Sequence, residues 1–154
     1  MSTVARVLLC MLFCACFALR VVGQELLFSF PPVPSNGAYS ERPFAKGEVL
    51  IVTVTRMAPG EMLSLQRCGN ARCSIGASVA EWSFDDFTRH SRAEVNAEGD
   101  RYAFLIFNLD KGAVRTDKGV VSPVVGTEAL VEEGVTTLRF SSGTVVTVTI
   151  RSPR

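Results

Sequence analysis

The sequence predicts an all-β domain: a compact antiparallel β-sandwich or jelly-roll-like fold of seven to nine short strands, after an N-terminal signal peptide. Three observations carry that reading. Runs dense in Val, Ile, Thr and Phe recur at short intervals and alternate with period two. Gly, Pro, Asn and Ser punctuate them. No segment sustains an apolar stripe at helical spacing over three turns. An open barrel is the second architecture compatible with the pattern.

The N-terminal segment differs in kind from the rest. Arg6 precedes an unbroken apolar run, Val7 to Leu19, and Arg20 closes it. Those thirteen residues, if helical, cover about 20 Å. A bilayer core measures roughly 30 Å, so the run has the length of a signal-peptide core rather than of a permanent span. Val21 and Gly23 stand at −3 and −1 of a cut before Gln24. The expectation is a secreted or periplasmic protein whose residues 1–23 are removed. Lipid anchoring at Cys16 is a second reading. Ala15 suits it, whereas Phe13 fits poorly and Arg20 follows the cysteine. Nothing downstream approaches eighteen consecutive apolar residues, so no transmembrane segment is expected in the mature chain.

Charge excludes some partners. The chain carries 16 basic and 15 acidic residues over 154 positions. Removing residues 1–23 takes away Arg6 and Arg20 and no acid, leaving 131 residues with a formal charge of −1. Such a chain lacks the electrostatic footprint that nucleic acids or anionic membranes select.

Three of the five cysteines, Cys10, Cys14 and Cys16, fall in the signal, where they act as small hydrophobes. Cys68 and Cys73 remain, separated by GNAR. In an exported domain this pair predicts a disulfide stapling a hairpin tip. A redox motif has two residues between its cysteines rather than four. A metal site needs more ligands, and His90 is the one imidazole in the chain. No metal and no cofactor are expected.

The mature chain begins with an extended, proline-containing segment, residues 24–45, in which residues 25–30 can pair as an edge strand. The sandwich domain is assigned to residues 46–154. In GEVLIVTVTRM, Leu50, Val52 and Val54 share one face and Ile51, Thr53 and Thr55 the other. Met62–Cys68 and Cys73–Trp82 form the stapled hairpin, with Gly76 marking a bulge or a close backbone approach. SFDDF predicts one helical turn, capped by Ser83, with Phe84 and Phe87 on one side. SRAEVNAEGD then connects to RYAFLIFNLD, whose Tyr102, Phe104 and Ile106 alternate with Ala103, Leu105 and Phe107. Both faces are apolar, so this strand belongs in the interior of the fold. Pro123 interrupts VVSPVVG and argues against a long central strand there. TEALVEEG reads either as a helical turn capped by Thr127 or as an edge strand. VTTLRF and TVVTVTI close the chain as a hairpin across SSG, with Leu138, Phe140, Val146, Val148 and Ile150 inward.

The chemistry-bearing residues form no recognisable motif. His90 has Ser83, Ser91, Asp85 and Asp86 near it in sequence, but no spacing defines a nucleophile, a base and an orienting group. Asp85 with Asp86, and Glu132 with Glu133, are adjacent pairs. Glycosidic acid/base chemistry instead needs carboxylates facing each other across a cleft. A weak calcium site between loops is the further reading of such acids, without the ligand series of an EF-hand. Phosphate-loop, zinc-protease and serine-elbow signatures are absent from the sequence. No catalytic residue is therefore assigned. Arg67 and Arg72 flank the expected disulfide, and Arg89 and Arg92 flank His90, as candidate anion contacts. Trp82 and Tyr102 are core positions in the leading expectation, and sugar-facing aromatic platforms in the alternative.

The expected function is that of a secreted or periplasmic, non-enzymatic binding module for a protein or glycan, acting through loops or a sheet surface. Two other classes compete. One is an assembly subunit using the QELLFSFPP arm or an exposed strand edge. The other is a small secreted hydrolase whose acids and His90 converge in three dimensions.

Overall fold

The computed structural model describes residues 24–32, 37–70, 73, 76–108, 114–116, 119–121 and 126–153. Residues 1–23, with Cys16, and likewise Arg72 and Pro123, lie outside the described residues. Two five-stranded antiparallel sheets face each other. The first has the order β1 (Phe28–Ser29), β2 (Gly37–Ser40), β7 (Tyr102–Asn108), β4 (Glu61–Cys68), β5 (Gly76–Ser83). The second has the order β10 (Gly126–Glu132), β11 (Val135–Phe140), β12 (Val145–Arg151), β3 (Val49–Arg56), β6 (Arg92–Asn96). A separate hairpin, β8 (Val114–Thr116) with β9 (Gly119–Val121), lies against β7. The domain is all-β and sandwich-like, as its periodicity predicts. No helix among the described residues is long and apolar enough to cross a membrane.

Inward-facing rows from both sheets make the core. Leu50, Val52 and Val54 of β3, and Leu138, Phe140, Val146 and Val148 of the C-terminal hairpin, are buried from one side. Leu63, Leu65, Tyr102, Phe104 and Ile106 are buried from the other. Ile150, expected in the same row, is half-buried and packs at the margin of this cluster. The interior assignment of β7 holds: it is the middle strand of its sheet, and Ala103 and Phe107 on its second face are buried too.

Twelve strands are present among the described residues, against the seven to nine expected. The additions are short or polar pieces that periodicity does not reveal. GAYS becomes β2 because β7 offers it a partner, with Ala38 opposite Phe104. Arg92–Asn96, read as a connection, becomes β6 by pairing with β3, Leu50 opposite Val95. Its exposed residues, Arg92, Glu94 and Asn96, are polar or charged, as suits an edge. TEALVEEG resolves as strand β10, also an edge. Glu133 and Gly134 have φ of 51° and 78°, and join Glu132 to its partner Val135. Two left-handed residues in a two-residue loop match the right-handed twist of the flanking strands.

The N-terminal strand is part of this core. Phe28 is fully buried, its ring 4.8 Å from Phe104 and 5.8 Å from Phe44. The Leu27 N–H donates to Thr136 Oγ1 on the opposite sheet (3.1 Å), and the Leu27 carbonyl accepts from the Glu41 N–H (2.9 Å). Arg42 donates to both Glu25 and Glu48 and lies 4.9 Å from the centre of the Phe44 ring. Its hydrogen bond holds the Glu48 carboxyl below the ordinary 4.5, and the pairing with Glu25, then Glu48, pushes the guanidinium up.

The disulfide between Cys68 and Cys73 is present, with Cα atoms 4.5 Å apart. It closes the tip of β4–β5, where the Cys73 N–H donates to the Asn70 carbonyl (3.2 Å). So small a loop removes little entropy from the unfolded chain, about 2 kcal/mol on the chain-entropy estimate. Replacing both cysteines by serine is expected to lower stability in urea unfolding by about that amount, leaving the fold intact. A loss of the folded state, or no change at all, would contradict a purely local staple. Gly76 follows the tip, and its near neighbour is the flexible end of a side chain rather than the expected backbone, the Arg67 carbonyl oxygen being 3.4 Å from a Cβ built there. A Cβ there would stand 2.7 Å from Gln66 Oε1.

Candidate functional site

β5 ends at a corner of the sandwich, and the chain crosses there to β6 through residues 84–91. The crossing is a tight turn. The Asp86 and Phe87 N–H groups donate to the Ser83 carbonyl (3.2 and 2.9 Å), and the Arg89 and His90 N–H groups to the Asp86 carbonyl (3.0 and 3.2 Å). This is the turn that SFDDF predicts, and Phe84 and Phe87 stand on it with ring centres 6.3 Å apart. Phe87 packs inward at the core margin, whereas Phe84 is 38% exposed.

A cleft of about 340 Å³ opens at this corner, lined by Met62, Glu81, Trp82, Ser83, Asp86, Phe87 and His90. Its apolar lining is Met62, Trp82 and Phe87; the rest is polar. Neighbouring strand residues point to opposite faces. A cavity touching Glu81, Trp82 and Ser83 in succession therefore wraps around the margin of β5.

The candidate residues divide between this corner and the rest of the molecule. Trp82 is 4% exposed and Tyr102 is 1% exposed, so both are core residues, in line with the leading expectation. Trp82 alone reaches the cleft. Tyr102 packs against Phe44, and burial pushes its hydroxyl pKa up. Arg67 lies beside Asp100 (3.5 Å) and Arg92 beside Glu94 (3.0 Å), on different sheets. Arg89 is exposed on the turn, and Arg72 is outside the described residues.

Ser83, Asp86 and His90 share the cleft, the grouping a hydrolase would need. Among the described residues, no side-chain hydrogen bond joins any of the three to another. The backbone turn explains their proximity, since they sit at one-turn spacing on it. Nor do three or more metal-ligating side chains converge anywhere among the described residues.

Sequence reasoning does not reach the cleft itself. It names Trp82, Ser83, Asp86 and His90 separately, but misses Met62 and Glu81 as their neighbours. The missing signal is the antiparallel register: counting back from the Cys68–Cys73 staple sets Met62 opposite Val79, whereas β4 and β5 pair Cys68 with Gly76, shift register at Leu65 and Gln66, and so bring Met62 opposite Ser83. Comparisons of the chain with protein-family models, with curated proteins and with solved structures return no match.

Proposed function

We propose that the chain is an exported, non-enzymatic binding module, secreted or periplasmic after removal of residues 1–23, and that the β5 corner is its ligand-contact surface. The observation that carries this reading is the cleft: an apolar floor with a polar rim, set on a rigid sheet margin. Binding sites commonly have that make-up, since apolar area supplies affinity and a few polar groups fix orientation. The exposed side chains of Val79 and Phe84, 41% and 38% accessible, extend the apolar surface beyond the cleft. Among large hydrophobic residues described, these two are the exposed ones.

The test uses the chain expressed with its own N-terminal segment and purified from the extracytoplasmic fraction. Intact mass reports whether it begins at Gln24. Immobilised native protein is compared with Glu81→Lys/Phe87→Ser, which alters the cleft, and with Glu128→Lys, which alters the distant β10 edge. The native and Glu128→Lys forms are expected to retain the same protein or glycan component, and the cleft variant at least tenfold less. Equal retention by all three would place the binding surface elsewhere.

A further inference from the structure

Among the described residues the two sheets present four strand edges, and three of them are protected against pairing with another chain. β1 has two residues and is followed by Pro31 and Pro32. β10 exposes Glu128 and Glu132, and Glu128 pairs with Arg139 (3.4 Å). β6 exposes Arg92 and Glu94, and Glu94 also meets Arg151 (3.3 Å). Charge, brevity and proline are the usual means of blunting an edge. β5 is the exception. It spans eight residues, GASVAEWS, with Glu81 its sole charge and Val79 exposed.

β5 has one irregularity, a register shift opposite Leu65 and Gln66 that leaves Val79 without a partner on β4. A bulge of this kind bends the strand and re-aims a side chain. It divides the edge and leaves the stretch from Val79 to Ser83 running directly beside the cleft. Every second residue of that stretch turns its backbone N–H and C=O away from β4, where an added strand would meet them.

Charge at this corner is net acidic, three carboxylates standing against Arg89 on the same turn. Glu81 and Asp86 line the cleft and Asp85 neighbours it, and all three are exposed. Among the described residues, no ion pair uses any of them. Glu81 accepts one hydrogen bond, from Ser78 Oγ (3.1 Å). A second copy of this chain is the wrong occupant, because a two-fold β5–β5 pairing brings the carboxylates of both copies together. A basic strand complements them.

We infer that the β5 edge binds an extended peptide in which aliphatic and basic residues alternate, pairing along Val79–Ser83. Its aliphatic side chains enter the cleft over Met62, Trp82 and Phe87, and its Lys or Arg side chains meet Glu81 and Asp86. This is strand addition, in which backbone hydrogen bonds give affinity and alternate side chains give specificity. The inference rests on the corner being the binding surface, and it specifies the ligand class.

The test titrates the purified protein into a fluorescently labelled seven-residue peptide of alternating Val and Lys, read by anisotropy. Saturable binding is expected. It should weaken at least tenfold when Glu replaces Lys in the peptide, and similarly when alternate peptide nitrogens are methylated to block strand pairing. Glu81→Gln/Asp86→Asn in the protein should weaken it about fivefold, with the unfolding midpoint retained. Absence of binding overturns the inference. So does equal binding of the methylated peptide, or self-association of the protein through β5. If the peptide fails while retention in the capture experiment remains sensitive to the cleft, the ligand class falls and the binding surface stands.

Discussion

Replacing Phe28 by alanine is expected to cost the domain about 3–5 kcal/mol, the range for deleting a fully buried phenylalanine side chain. The ring is in contact distance of Phe44 and Phe104, with centroids 5.8 and 4.8 Å away. The surrounding strands are hydrogen-bonded on both sides and collapse poorly into the space it leaves. Phe30 supplies the comparison. It is two residues further on and half-buried, packing edge-on against Phe140 at 5.1 Å. Phe30→Ala should cost less than half as much in the same urea unfolding experiment. The pair also judges the assembly reading of the QELLFSFPP arm. An arm reserved for a neighbouring molecule would leave monomer stability indifferent to Phe28. The strand held by these contacts belongs to its own core, so a stability unchanged by Phe28→Ala would overturn that placement.

The second large effect is expected at Glu61, a carboxylate only 3% exposed and, among the described residues, without a cation beside it. Its Oε2 accepts from Thr144 Oγ1 (2.7 Å) and Ser142 Oγ (3.0 Å). Thr144 in turn accepts from the Ala58 N–H (3.1 Å). Glu61 thus ties the β11–β12 turn of one sheet to the start of β4 in the other. Its Oε1 is buried and accepts no hydrogen bond from the described residues. Glu61→Ala strips the acceptor from two hydroxyls and should cost about 2 kcal/mol, within the range for a broken buried hydrogen bond. Glu61→Gln keeps one oxygen for both hydroxyls and should cost distinctly less. Equal losses in the two variants would show that the negative charge, and not the acceptor, carries the tie.

The contrast between these two residues shows what the sequence makes legible. Phe28 stands in an apolar run beside prolines, so an edge strand is readable, but its place among Phe44 and Phe104 depends on chain crossings that local pattern does not encode. Glu61 carries no signal at all, because a buried acid and a solvated one look alike until Thr144 and Ser142 are brought to it from 81 or more positions away. Leu50–Val54 is readable because one buried face imposes period two, and Tyr102–Phe107 because an apolar run on both faces marks an interior strand. β6 is not, since an edge strand selects charge and resembles a loop. The candidate site is half legible. Trp82, Ser83, Asp86 and His90 lie close along the chain, whereas Met62 joins them through strand pairing. Of the arginines named with them, Arg67 and Arg92 stand on different sheets.

Trp82 gives the most direct test, since it is the only tryptophan in the chain and lines the cleft. Its emission is followed during titration with the alternating Val and Lys peptide, under the conditions of the anisotropy experiment. Binding at the β5 corner predicts a saturable change in Trp82 emission with the same midpoint as the anisotropy change, and a parallel weakening of both signals in Glu81→Gln/Asp86→Asn. Saturable anisotropy with unaltered Trp82 emission would contradict the account, because the peptide would then occupy a surface other than this cleft.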